Sequence, residues 1–308
     1  MNNSKAIKQS TSGFKGLPQV MRAHPLFSFF FMAYAFSWIM VIPYILSQWG
    51  ILHGDFRISF IVKSFGPFLA AYIMIGITEG KAGLLRFRRS LVQARAGWQW
   101  YVFILLGIPA LFLLGMALFP GVLASFQGFP PNFALVYLIT FVITLIGGGP
   151  LGEEPGWRGF ALPRLKPRYG VLRATLLLGV LWTFWHLPDF LTDAQRGGPG
   201  TNLVSLLTIN LPIFLLLVMG MAIIFTWVFN HTRGSVFIAI LLHASINGFG
   251  TAMALFKSPI LANSDLVICI AVVVPALLIL ILTRGRLGCQ LGQNPSMKPA
   301  EVEAQPSL

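Results

Sequence analysis

Residues 133–163 read "FALVYLITFVITLIGGGPLGEEPGWRGFALP", an apolar run that passes through three glycines into two adjacent glutamates, Glu153 and Glu154. The chain has only nine Asp and Glu among 308 residues, so two side by side at the end of such a run need a reason. The run is long enough to cross a hydrocarbon core, which takes about 20 apolar residues in a helix. Working outward, similar runs lie near 26–47, 58–78, 99–118, 174–191, 203–229, 235–256 and 265–283. Composition agrees: 56% of residues are hydrophobic and 10% charged, against roughly 25% charged in a soluble domain. Backbone in lipid must satisfy its own hydrogen bonds, so these runs are expected to be helices. Their continuous apolarity does not suit the alternating pattern of a membrane barrel. The expected fold is an all-α polytopic membrane protein of about eight transmembrane helices enclosing an intramembrane site.

The charges supply the topology. With the N-terminus placed in the cytoplasm, all but four of the 22 Lys and Arg fall on that side; the exceptions are Arg57, Lys63, Arg196 and Lys257. This asymmetry follows the positive-inside rule and puts both termini in the cytoplasm of a multi-pass cell-membrane protein. The net charge of +13 then reads as topology and contact with anionic lipid, not as a nucleic-acid surface. Residues 1–22 form a polar cytoplasmic tail with no cleavable signal, since the apolar run that follows is too long for one. Residues 23–285 form the transmembrane domain, with its functional core at about 147–250, and residues 286–308 a disordered cytoplasmic tail. Cys269 and Cys289 offer neither a disulfide framework nor a CxxC zinc site.

Ionisable groups within spans are costly and mark function by default. Here they are Glu153, Glu154, Arg158, His186, Asp189 and His243, with Asn247 as a neutral companion. If the helix of Glu153 runs on to the basic cluster, that glutamate lies roughly 16 Å from Arg164; His186 lies roughly 20 Å past Arg173, and His243 roughly 15 Å past Arg233. Three helices thus bring a carboxylate and two imidazoles to one level. His243 and Asn247 share a helix face at i and i+4, as do Glu154 and Arg158. Pro155 and the run Gly147–Pro150 suggest a helix broken or kinked at the site, because the residue before a proline is pushed from helical geometry. Irregular backbone at that depth is tolerated only when buried in protein or lining a wet cavity. Trp182 and Trp185 read as packing, and Asp189 as interfacial.

Such a set can activate water, with an imidazole and the Asn247 amide donating to a developing oxyanion. Glu153, His186 and His243 also suit the three protein ligands of a catalytic Zn2+, although the helical signature HExxH is absent. A polar-pocket scaffold without catalysis, and a proton or ion transporter built on a broken helix, are the other classes that these residues permit.

"EEPGWR", the segment closing in His186, and "HASIN" follow one another on successive spans. In that order they resemble the CPBP intramembrane proteases, also called the Abi or CAAX-protease and bacteriocin-processing family, which includes Rce1-type prenyl endopeptidases. The resemblance runs from about Gly147 to Gly250. It implies peptide-bond hydrolysis in an eight-helix membrane fold, on a CAAX-type substrate, a leader or bacteriocin peptide, a signal remnant or a membrane protein. In that case Glu153 activates water with His186, His243 and Asn247 hold the oxyanion, and Glu154 and Arg158 support the first glutamate. It equally permits a non-proteolytic scaffold or immunity protein of the same fold, and leaves both a metal-free and a zinc site open. The family's second motif has phenylalanine four residues before its histidine, where this chain has Trp182; Pro155 inside the first motif is a second departure.

Overall fold

The computed structural model describes residues 16–147, 149–195 and 197–288, without the side chains of 262–265. Gly148, Arg196, Cys289, the tail lysines Lys5, Lys8, Lys15 and Lys298, and most of the expected C-terminal tail lie outside the described residues. The described chain is helical, with one isolated β-bridge between Phe126 and Phe256 in place of any sheet. Its first long helix is α1 (Pro25–Gln48). A short helix, Arg57–Lys63, leads into α2 (Gly66–Leu91), which bends at Gly80, where φ is 65°. Next come α3 (Ile108–Ala117), α4 (Phe133–Ile146) and α5 (Gly149–Gly156). A π-turn, Trp157–Ala161, and the helix Leu162–Tyr169 complete that crossing. The last helices are α6 (Val171–Trp185), α7 (Leu211–His231), α8 (Val236–Met253) and α9 (Ser264–Leu282). Among the described residues, seven continuous helical stretches are long and apolar enough to cross a membrane, and α9 supplies a shorter eighth. The chain is therefore an all-α multi-pass membrane protein.

Helices in lipid gain little from burying apolar surface against one another, so close contact rests on small residues and polar ties. Gly152 and Gly156, one turn apart, show this best. A Cβ at Gly152 would stand 2.4 Å from the carbonyl oxygen of Ser64, and one at Gly156 would stand 2.4 Å from Cβ of Pro67. Only glycine lets α5 press against the break between Arg57–Lys63 and α2, and that approach seats both glutamates inside the bundle. The break has a second use. The carbonyl of Lys63, left over at a helix end, accepts a bond from Ser37 Oγ on α1 at 2.7 Å. At the end of α6 the carbonyl of Trp185 accepts from Trp38 Nε1 at 3.0 Å, and Tyr34 donates to the carbonyl of Leu181. One helix, α1, thus holds the ends that carry Lys63 and His186.

The irregularity expected around Pro155 is displaced. Gly147 ends α4, Glu154 and Pro155 stay helical, and the distortion comes one turn later. Proline removes the donor owed to the carbonyl four residues back, and the following turn is widened, with the Leu162 N–H bonded to the carbonyl of Trp157 in an i to i+5 step. Single π-turns of this kind often sit beside functional residues.

Candidate active site

Helices α5, α6 and α8 bring the expected residues together. Glu153 is 4% exposed and Glu154 fully enclosed. Being adjacent on a helix, they point about 100° apart, and their surroundings differ. Oε2 of Glu153 accepts from Trp182 Nε1 at 2.7 Å and from Trp157 Nε1 at 3.4 Å. It also faces His186 Nε2 at 3.9 Å, beyond direct hydrogen bonding. His186 caps the end of α6, and its Nδ1 lies 2.8 Å from Oδ2 of Asp189. Asp189 is itself ion-paired to Nζ of Lys63.

Glu154 turns the other way. Its Oε1 accepts from Arg158 Nη1 at 3.0 Å and stands 2.9 Å from His243 Nδ1. The Arg158 guanidinium lies between the rings of Trp182, at 4.5 Å, and Phe225, at 4.3 Å. Those two rings also meet His243 edge-on, at 5.6 and 5.7 Å. Glu154 and Arg158 therefore brace His243, and the support of Glu153 comes instead from two indole N–H groups. Trp182, which reads from the sequence as packing, is a hydrogen-bond donor to the carboxylate.

Glu153, His186, His243 and Asn247 all line one cavity of about 270 Å³, while Glu154 and Arg158 stand behind its wall. Phe112, Phe214, Leu217 and Met221 supply apolar lining. The Asn247 amide is exposed to that space. A Cβ built on Gly149 would sit 3.4 Å from Asn247 Nδ2 and 3.5 Å from Glu153 Oε1, so the amide and the carboxylate flank the first residue of α5. Ser245 Oγ donates to the carbonyl of Ile104 at 2.6 Å and fixes α8 midway between His243 and Asn247. The cavity-lining residues among those expected thus come from three separate helices.

Two expectations change. Asp189 is not interfacial: it is 2% exposed and bonded to His186. Lys63, counted on the outer side for topology, is 3% exposed and turned into the bundle. A second signal was present in "HLPDF", where Pro188 opens a 3-10 turn (Leu187–Leu191) that folds Asp189 back under His186. The Asp189 N–H bonds the carbonyl of His186 at 2.9 Å, and Thr192 Oγ1 bonds that of Asp189 at 2.7 Å. Lys63 carried no comparable mark in the sequence.

Glu153, His186 and His243, the set that suits zinc, line one cavity, and among the described residues no three His, Cys, Asp or Glu side chains converge within metal-holding distance of one another. The Nδ1 of His186 is engaged by Asp189 and that of His243 by Glu154, an arrangement that orients each ring and leaves Nε2 as the nitrogen available to water or a metal.

Comparison with known proteins adds two findings. Residues 133–249 match a family model described as type II CAAX prenyl endopeptidase Rce1-like. The chain is also similar to CAAX prenyl protease 2 of Methanococcus maripaludis, with 33% identity over 149 residues, 47% of this chain and 53% of that protein. The chain thus spans about half the length of that curated relative. The family-model match contains Glu153, His186, His243 and Asn247.

Proposed function

We propose that this chain, similar over residues 133–249 to the Rce1-like prenyl endopeptidases, is an intramembrane endopeptidase in which Glu153 and His186 activate a water molecule. The observation that carries this reading is the 3.9 Å gap between Glu153 Oε2 and His186 Nε2 on the wall of the cavity. A water about 2.8 Å from each atom would subtend roughly a right angle between them, close to its own H–O–H angle. Such a water donates one hydrogen to each acceptor and turns a lone pair into the cavity.

The steps follow from these positions. Glu153 takes the water's proton as its oxygen attacks the peptide carbonyl carbon. The carbonyl π bond opens to an oxyanion, which the Asn247 amide stabilises. His243, with Nδ1 donating to Glu154, adds an Nε2–H donor only when its ring is protonated. Glu153 then returns the proton to the departing amine nitrogen as the C–N bond breaks. The Trp182 and Trp157 N–H groups keep the carboxylate aimed at the water through the cycle. No step passes through a metal.

For substrate, the relative's name and the family description point to a C-terminal CAAX-type peptide, reached from the cytoplasmic side with both termini of the chain in the cytoplasm. The apolar lining suits an aliphatic side chain next to the scissile bond. The test is cleavage by the full chain in liposomes, using a panel that holds a prenylated C-terminal peptide, its unprenylated form and leader peptides. Cleavage of the prenylated peptide, lost in Glu153→Gln, supports the reading. Cleavage confined to leader peptides overturns the substrate assignment, and undiminished turnover in Glu153→Gln overturns the mechanism.

A further inference from the structure

Lys63 and Asp189 have no part in the chemistry just described, yet both are enclosed in the bundle beside it. Removing an ammonium and a carboxylate from water is costly, and apolar residues of the same size often pack at least as stably. The pair is also held with care. Lys63 Nζ lies 4.4 Å above the ring of Trp185 and 4.8 Å from that of Phe60. Oδ2 of Asp189 receives both Lys63 and His186, while its Oδ1 is buried without a hydrogen bond among the described residues. The same construction stands on the other side of the cavity wall, where Arg158 pairs with Glu154, Glu154 with His243 Nδ1, and the cation lies on Trp182. Each imidazole is thus gripped at Nδ1 by a carboxylate that is itself paired to an enclosed, ring-stacked cation.

We propose that Lys63 and Asp189 are positioning residues that hold His186 as its Nδ1–H tautomer, with the Nε2 lone pair turned toward the water beside Glu153. An ion-paired carboxylate accepts hydrogen bonds and donates none, so the ring nitrogen it faces carries the proton. The other nitrogen is then an acceptor, which is what the water requires if Glu153 is to take its second hydrogen. Lys63 keeps Asp189 charged and pulls it to one side of the ring. Because α1 fixes the carbonyls of both Lys63 and Trp185, the lysine and the histidine keep their register. Lys63 lies outside the matched stretch of residues 133–249, so the second clamp is assembled from a helix that the family model does not cover.

This role rests on the endopeptidase reading, and the experiment separates the two. The full chain is reconstituted as wild type, Lys63→Met, Asp189→Asn, the double variant Lys63→Met/Asp189→Asn and the conservative Lys63→Arg, and kcat, KM and thermal midpoint are measured on the peptide that the wild type cleaves. Each neutralising single variant strands an enclosed charge and should lower the midpoint. The double variant should recover the midpoint, but with kcat about 10- to 100-fold below wild type, the range for losing a partner that orients a functional histidine, and with KM little changed. Lys63→Arg should keep most of the turnover. Independently of activity, the ring nitrogen spectrum of ¹⁵N-histidine-labelled wild type should show His186 protonated at Nδ1 and bare at Nε2. A double variant that turns over at the wild-type kcat, or an Nε2–H tautomer in the wild type, overturns the positioning role. A wild type that cleaves no peptide removes the endopeptidase reading and leaves the spectrum to decide the tautomer.

Discussion

Glu153 and Glu154 are consecutive residues on one short helix, but one lines a cavity and the other closes a buried ion cluster. Glu153 has two indole N–H partners and an imidazole across a gap the size of a water molecule. Glu154 has an arginine and an imidazole in direct contact, and no exposed surface. The difference comes from the approximately 100° between neighbouring helical residues, made possible by the glycines on either side that let the helix sit deep in the bundle. It teaches that adjacent identical residues can divide labour: the carboxylate with unused acceptor capacity toward a cavity is fit for chemistry, and the one whose charge is matched is fit for holding shape.

The largest effects should come from breaking the enclosed ion cluster. Arg158→Ala leaves Glu154 as an unpaired buried charge and should cost on the order of 3–5 kcal/mol, read as a lowered thermal midpoint in detergent and poor yield of folded protein. Tolerance of that change would mean that Glu154 is neutral or hydrated. Next is Gly152→Ala, whose methyl would meet the Ser64 carbonyl oxygen at 2.4 Å and its carbon at 2.6 Å. Backbone cannot give way as a side-chain tip can, so overpacking of about 1–3 kcal/mol is expected. Turnover should fall with it as α5 is pushed off α2; a variant as stable and active as wild type would mean that the close approach does not seat the glutamates.

The two tryptophans sharpen the comparison at lower cost. Trp182→Phe keeps an aromatic ring beside Arg158 and removes the N–H that holds Glu153. A hydrogen bond to a charged group contributes about 1.5–3 kcal/mol, and kcat should fall roughly tenfold or more through a less ordered base. Trp185→Phe is the matched control, because its Nε1 is buried without a partner among the described residues. Removing an unsatisfied donor breaks no hydrogen bond, so Trp185→Phe should lose only what the smaller ring gives up in packing against Lys63 and His186, and turnover should fall less than in Trp182→Phe. Equal losses in both variants, in parallel turnover and melting measurements, would mean that ring packing rather than the bond to Glu153 matters.

Much of this was legible in the sequence. Apolar run lengths located the seven long apolar helical stretches and the shorter eighth found among the described residues, because crossing a membrane imposes length directly. Distance from the basic boundaries put Glu153, His186 and His243 at one depth, and the structure brings those helices together there. What escaped depends on direction rather than depth. The spacing of Glu154 and Arg158 was plain, but not that the pair turns to His243, since that requires knowing which face of α5 meets α8. Asp189 looks interfacial when counted along a straight helix and becomes internal once a 3-10 turn reverses the chain. Lys63 looks external by the charge rule, because a break after it lets the side chain point inward. Gly152 and Gly156, four residues apart around the glutamates, carried no reading in the sequence, although their spacing is that of a close-packing motif.

A side-by-side measurement of Glu153→Gln and Glu154→Gln tests the division between the two carboxylates most directly, with peptide turnover and thermal midpoint taken on the same reconstituted preparations. Glu153→Gln should lose turnover by about 10²–10⁴-fold, the usual contribution of a general base, with its midpoint near wild type. Glu154→Gln should lower the midpoint by stranding the Arg158 charge. The reverse pattern, with Glu153→Gln active but unstable and Glu154→Gln stable but inactive, would contradict the account.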